Sequence, residues 1–333
     1  MAEIKNGEFV RNETNQNSMG GTERMTMALA EKLPKELLEK FQIVSSRVRD
    51  LQEDKIRIFW AHDLPGDAES EFLRDKNEMN KFHRYVFVSN WQMQKYIETY
   101  AIPWSKCVVL QNAIEPFEQV EKPDSKEELN IIYTPTPHRG LNILVPVFEK
   151  LAEKHENINL HVFSSFELYG WGERDEQFKE VFDQIEKHPR MHNHGTQPNE
   201  VVREYLAKSH IFAYPSIWSE TSCICLMEAI AAGLVCVHSN YAALPETAAN
   251  WTQMYQLHED INSHAGLFYN YLDMIISQYD TETIQSRLAP AANYANVFYT
   301  WPNRAIEWNS FLTMLSRSIE DTSFPKEVFS FST

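Results

Sequence analysis

The sequence predicts an α/β fold in two domains, and three observations carry the prediction. The chain has 333 residues, 43% of them hydrophobic, enough for two cores of ordinary size. Strand-like runs alternate with helix-like ones, the pattern of parallel sheets joined by right-handed crossovers. A charged, proline-bearing stretch, EPFEQVEKPDSKEELN, has few apolar residues and reads as a linker between two such series. The expected division is an N-terminal domain at 1–120, a C-terminal one at 121–295, and a last segment at 296–333.

Composition removes several function classes. The formal net charge is −16, and the excess of acid lies mostly after residue 120. A nucleic-acid binder normally shows a basic footprint, and none is seen. No apolar run is long enough to span a membrane, and MAEIKNGEFVRNETNQ lacks the apolar centre of a secretory leader. Cys107, Cys223, Cys225 and Cys236 have no zinc spacing and read as reduced thiols in a cytoplasmic setting.

The elements follow in order. NGEFVRNETNQ is polar, so a first strand there reads as missing or much reduced, and residues 12–23 form a polar loop with Gly20 and Gly21 at its end. MTMALAEKLPKELLEKF is helical with a break at Pro34. Strands are expected at FQIVSS, IRIFWAH, YVFVS and CVVLQN, with helices at AESEFLRDKNEMNKFH and NWQMQKYIETYA. His62 and Asp63 end one of these strands, a position that commonly faces a ligand; His62 equally suits capping the strand. NIIYTPTPHRGLNILVPVFEKLAEKHENINLHVFSS then reads strand, loop, helix, strand, with Arg139 and Gly140 in the loop. An arginine fork there would suit a phosphate, or it would simply sit in water. Gly195 and Thr196 open a turn before a helix with Glu200 near its start. His192 and His194 have no acid or cysteine set nearby and read as solvated, not as metal ligands.

Ser219 to Pro245 is the most informative stretch. It runs as a polar loop with Glu220, an apolar helix carrying Glu228, the helix stop Gly233, and the strand LVCVHS. Backbone N–H groups at Thr221, Ser222 and Cys223 would stand at the helix start, a natural anion site. Glu228 would accept hydrogen bonds from vicinal ribose hydroxyls. Taken singly, Glu220 could be a solvated loop acid and Glu228 a surface acid. Glu228, however, is flanked by Leu226, Met227, Ala229 and Ile230, so an acid there needs a partner.

E-x7-E followed by A-I-A-A-G-L-V and L-P-E resembles the signature of family 4 retaining glycosyltransferases of the GT-B fold. E-T-S-C stands where the family usually shows E-G-F-G. The Gly20-Gly21-Thr22-Glu23 loop, Ser89, Asn112 and Arg139-Gly140 are similar to further landmarks of that family. Two departures stand out: the first strand is missing or reduced, and Thr134 occupies the place of a second phosphate cation. The resemblance implies two Rossmann-like domains facing across a cleft, the first reduced, with the last helix crossing back to it. Trp301, Trp308 and Phe311 on that helix read as packing. It implies a retaining transfer from a UDP- or GDP-sugar to a hydroxyl acceptor such as a glycan. Glu220 and His62 would serve catalysis. Gly20, Gly21, Thr22, Arg139, Thr196, Thr221, Ser222, Cys223 and Glu228 would bind the donor. The chain holds no D-x-D triplet, and the fold usually works with no metal or other cofactor. Rival readings are a GT-B nucleotide-sugar epimerase, a phosphorylase, and a non-catalytic sugar-nucleotide-binding protein.

Overall fold

The computed structural model describes residues 2–11, 20–45, 48 and 50–320. The polar loop at 12–19 and the segment after 320 lie outside the described residues. The chain divides into two compact units, Met1–Ala113 with Trp301–Thr333, and Ile114–Thr300.

The first unit is built on a six-stranded sheet. β3 (Phe41–Val44), β4 (Ile56–Ala61), β5 (Arg84–Phe87) and β6 (Cys107–Val109) run parallel. Their apolar runs are legible because parallel strands are covered on both faces. β1 (Ala2–Lys5) and β2 (Glu8–Arg11) add an antiparallel hairpin beside β3. Of the two expectations for the polar NGEFVR segment, a missing strand or a much reduced one, the structure shows a short strand at the sheet edge. Asn6 and Gly7 both have positive φ, 53° and 74°, as a tight two-residue hairpin turn requires. β2 is an edge strand, where polar side chains are tolerated. Helices α1 (Gly21–Lys32) and α2 (Lys35–Leu38) flank Pro34, as the sequence indicates. The expected helix at AESEFLRDKNEMNKFH is broken into a 3-10 turn, Glu71–Arg74, and the short α3 (Lys76–Asn80). Asp75 causes the break by capping the Asn77 N–H at 2.8 Å. α4 (Asn90–Tyr100) starts at Ser89, whose hydroxyl accepts from the Gln92 N–H.

The second unit holds β7 (Leu129–Tyr133), α5 (Leu141–Lys154), β8 (Ile158–Val162), α6 (Lys179–Lys187), β9 (Met191–Asn193), α7 (Asn199–Lys208) and β10 (Ile211–Tyr214). It continues with α8 (Ile224–Ala231), β11 (Val235–Ser239), α9 (Leu244–Ala248), β12 (Gln253–Tyr255), α10 (Ile261–Gln278) and α11 (Glu282–Phe298). The sheet order is β9-β8-β7-β10-β11-β12, all parallel. The chain winds outward from β7 in one direction, then returns to β10 and winds outward in the other. The loops after β7 and β10 therefore diverge at the topological switch point, where doubly wound sheets bind ligands.

The stretch expected to be a linker is strapped to the second unit. Lys122 Nζ donates to the carbonyls of Ala207, Ser209 and Ala232 at 2.9, 2.6 and 3.1 Å. Gln119 Nε2 donates to Ala231 O, and Arg203 to the carbonyls of Glu115 and Pro116. Long side chains make these bonds, so low apolar content did not mean slack.

α12 (Trp301–Glu320) belongs to the first unit. Trp301 and Trp308 are buried, and the Trp308 ring meets Trp60 edge-on at 4.8 Å. Phe311 is half-buried against Trp308. All three pack. Among the described residues no helix is long and apolar enough to cross a membrane.

Candidate functional site

The loop after β7, residues 134–140, and the loop after β10, residues 215–223, are knitted together. Gly140 has φ +135°, and a Cβ there would lie 2.4 Å from the Pro215 carbonyl oxygen. Only glycine permits that approach without strain. The Ile217 N–H donates to Arg139 O at 3.3 Å.

This contact brings Arg139 onto Glu220. Arg139 Nη1 donates to Glu220 Oε1 at 2.7 Å, and the Tyr214 hydroxyl donates to the same oxygen at 2.5 Å. Glu220 is 4% exposed, so it is not a solvated loop acid. Its own carbonyl accepts from Ala243 N at the start of α9, which fixes the loop from the other side. Burial opposes the charge on Arg139, but the Glu220 carboxylate, together with Tyr169 and Tyr214, offsets it and keeps the guanidinium charged. Arg139 Nε is buried with no hydrogen-bond partner.

Cys223 is the N-cap of α8, and Ser222 is buried beside it. The first N–H groups of a helix have no partner within it, so this end presents donors at the switch point. The Ser222 hydroxyl is also buried without a partner. Burial pushes the Cys223 thiol up, and the Cys225 thiol up to about 11, so neither is a thiolate nucleophile. Glu228 is 4% exposed on α8, and its carboxylate lies 3.9 Å from Arg203 Nη1 of α7. That separation is an ion pair through space, longer than a hydrogen bond. Arg203 is braced over the Phe117 ring at 3.6 Å.

A glycosyltransferase from Rickettsia africae ESF-5 superposes on this chain with a TM-score of 0.66 over 92% of it and 85% of its own length, at 16% identity. An alpha,alpha-trehalose-phosphate synthase (UDP-forming) from Burkholderia vietnamiensis gives 0.62 over 81% and 69%, at 11% identity. The fold is GT-B. Residues 112–269 match the family model Glycosyl transferases group 1. One subunit of the human phosphatidylinositol N-acetylglucosaminyltransferase is 24% identical over 141 residues, 41% of this chain and 28% of that protein. The chain thus matches under a third of that relative's length.

The segment that matches this family model includes Arg139, Thr196, Glu220, Thr221, Ser222, Cys223 and Glu228. Arg139 and the 220–223 loop meet directly. Thr196 is exposed after β9, two strands out from β7 on the same sheet. Gly20, Gly21, Thr22 and His62 belong to the first unit. Gly20 caps α1 with φ −63°, so this glycine does not serve a left-handed turn. The first turn of α1 is tied to the end of β3, because the Thr26 hydroxyl donates to Thr22 O and is hydrogen-bonded to the Ser45 hydroxyl, which donates to it. His62 follows β4, its ring 4.6 Å from that of Trp60. Burial lowers its pKa to about 3, so it acts as a neutral imidazole.

His194 is not merely solvated, as its sequence context had suggested. Its ring stacks on Phe163 at 4.3 Å, and its Nε2 lies 3.1 Å from His161 Nδ1. Strand alternation across β8 and β9 produced this pairing, which spacing along one strand does not reveal. His192 is exposed and stacks on His161. Among the described residues no group of three or more His, Cys, Asp or Glu is placed to hold a metal.

Sequence reading missed Tyr214 and Arg203. Tyr214 hides as the last residue of an apolar strand. Arg203 lies on an ordinary amphipathic helix, and only α7 packing against α8 makes it the partner of Glu228.

Proposed function

We propose that this chain is a retaining glycosyltransferase that moves a sugar from a UDP- or GDP-sugar to a hydroxyl acceptor, such as a glycan. The observation that carries it is the Arg139–Glu220–Tyr214 cluster, beside the α8 N-terminus at the switch point. A cation, helix N–H donors and a carboxylate converge there. A nucleotide-diphosphate sugar presents a matching set: an anion beside hydroxyl-bearing rings.

The diphosphate sits against Arg139 and the N–H groups of residues 221–223. As the bond from the sugar carbon to phosphate oxygen breaks, charge grows on the leaving oxygen, and these fixed donors stabilise it. The acceptor hydroxyl bonds to the same face of the sugar carbon and passes its proton to the leaving phosphate. Glu220 reads the sugar hydroxyls and favours positive charge at the carbon. Glu228, oriented by Arg203, takes the ribose hydroxyls. Thr196 lies toward the base. Gly20, Gly21 and Thr22 keep donor-binding roles in the same reading, and neutral His62 keeps its catalytic one, orienting the sugar. No step calls on a metal or another cofactor.

The test is calorimetric titration with UDP, GDP and ADP, followed by incubation with sugar donors and detection of the product anomer. The panel includes UDP-N-acetylglucosamine, because the human relative's name specifies N-acetylglucosaminyl transfer. Binding with transfer and retained configuration supports the reading. Inverted product rejects retention. Binding with no transfer to any acceptor favours a sugar-nucleotide-binding protein. No binding of any nucleoside diphosphate overturns the assignment.

A further inference from the structure

We propose that Arg174 is a second cation holding the diphosphate, an inference that rests on the donor site described above. It comes from residues 166–178, a stretch to which the mechanism gives no role. This stretch forms two 3-10 turns after β8, Phe166–Tyr169 and Gly172–Phe178.

The stretch is anchored at its base. Asp175 accepts from the Ser165 hydroxyl at 2.5 Å and from the Phe166 N–H at 2.8 Å. It also packs on the loop carrying Arg139. The Phe166 ring stacks on His138 at 5.1 Å and 20°, and His138 meets Trp218 edge-on at 4.6 Å. The second turn contacts the Pro137–Arg139 turn directly.

Arg174 is exposed, and its guanidinium lies 4.3 Å over the Trp171 ring. Among the described residues it makes no ion pair. Its turn lies against the Pro137–Arg139 turn, and its charge adds to burial and Arg139 in lowering His138 to about 4. Two guanidinium groups therefore act on one small region of the loop.

The need for a second cation is electrostatic. Arg139 already has one arm on Glu220, so it is shared between a carboxylate and the incoming anion. A diphosphate carries charge on both phosphorus centres, and a single shared guanidinium leaves part of it uncompensated. The buried Arg139 Nε without a partner marks a donor still to be satisfied on the same side chain. The Trp171 ring holds the Arg174 plane by cation–π contact, which reduces the ordering needed to engage phosphate oxygens in pairs.

The experiment titrates wild type, Arg174→Gln and the control Glu173→Gln with UDP or GDP, whichever wild type binds, and with the matching nucleoside. Arg174→Gln is expected to weaken the nucleoside diphosphate about tenfold and to leave the nucleoside unchanged. Its diphosphate affinity should also fall less steeply with added salt, and its melting temperature should match wild type. Glu173→Gln should bind as tightly as wild type or tighter. Equal diphosphate affinity in wild type and Arg174→Gln overturns the inference and leaves the donor reading standing. Failure of wild type to bind any nucleoside diphosphate overturns both.

Discussion

Replacing Glu220 by alanine should separate two roles that the cluster combines. The change strands Arg139 Nη1 and the Tyr214 hydroxyl, which now share Glu220 Oε1 at 2.7 and 2.5 Å. Breaking one side of a buried pair costs about 3–5 kcal/mol. The Arg139 side chain keeps 23% exposure, so water recovers part of this, and about 2–3 kcal/mol is expected. For a unit of this size that corresponds to a fall of roughly 4–12 °C in melting temperature. Nucleoside diphosphate affinity should move the other way and rise about three- to tenfold, because Glu220 no longer competes for Arg139. Turnover should fall about a hundredfold or more. The assays are calorimetry, titration with UDP or GDP, and transfer to acceptor. In a double-mutant cycle, Arg139→Ala with Glu220→Ala should destabilise less than the sum of the singles, by about 1.5–3 kcal/mol. Additive losses, or a Glu220→Ala protein that no longer binds diphosphate, would refute the coupling.

Three further outcomes are expected. Glu228→Gln should weaken UDP or GDP by about tenfold while leaving a 2′,3′-dideoxy analogue unaffected, measured by calorimetry; equal losses for both ligands would remove Glu228 from ribose binding. Gly140→Ala forces a Cβ to within 2.4 Å of Pro215 O at a positive φ and should lower stability by about 2–4 kcal/mol; an unchanged melting curve would show that the two loops are not locked together. His161 should make stability fall with acid. Asn130 Nδ2 donates to Glu128, so Asn130 Oδ1 accepts from His161 Nε2, and His161 Nδ1 accepts from His194 Nε2. Burial, then the neighbouring histidines, lower the His161 pKa to about 4. The unfolded chain therefore binds the extra proton between the ordinary histidine pKa and about 4. Stability is full above that window and declines as pH falls through it. Melting temperatures from pH 7 to 4.5 should drop less for His161→Gln than for wild type.

The second unit was the more legible one because its signals are local. LNIIY, IFAY and VCVHS are buried throughout and read as strands covered on both faces. Gly233, with φ +74°, ends α8 where the sequence indicates. The partnerships inside the site were not legible. Arg139 and Glu220 are 81 residues apart, and nothing in either loop's composition pairs them. The requirement that Glu228 have a partner could be stated from its apolar neighbours, but Arg203 could not be named. The polar β2 strand escaped notice because its edge position removes the need for an apolar face. The strapped segment at 115–123 escaped for a related reason, since lysine and glutamine bind backbone carbonyls without changing its hydrophilic look.

The first unit is interrupted by the whole of the second, and the second closes on itself where Ile114 N donates to Tyr299 O at 2.8 Å. During synthesis the inserted body therefore leaves the ribosome complete, while the earlier sheet still waits for its final helix. Until Trp308 emerges, the nascent sheet lacks the indole that covers Trp60.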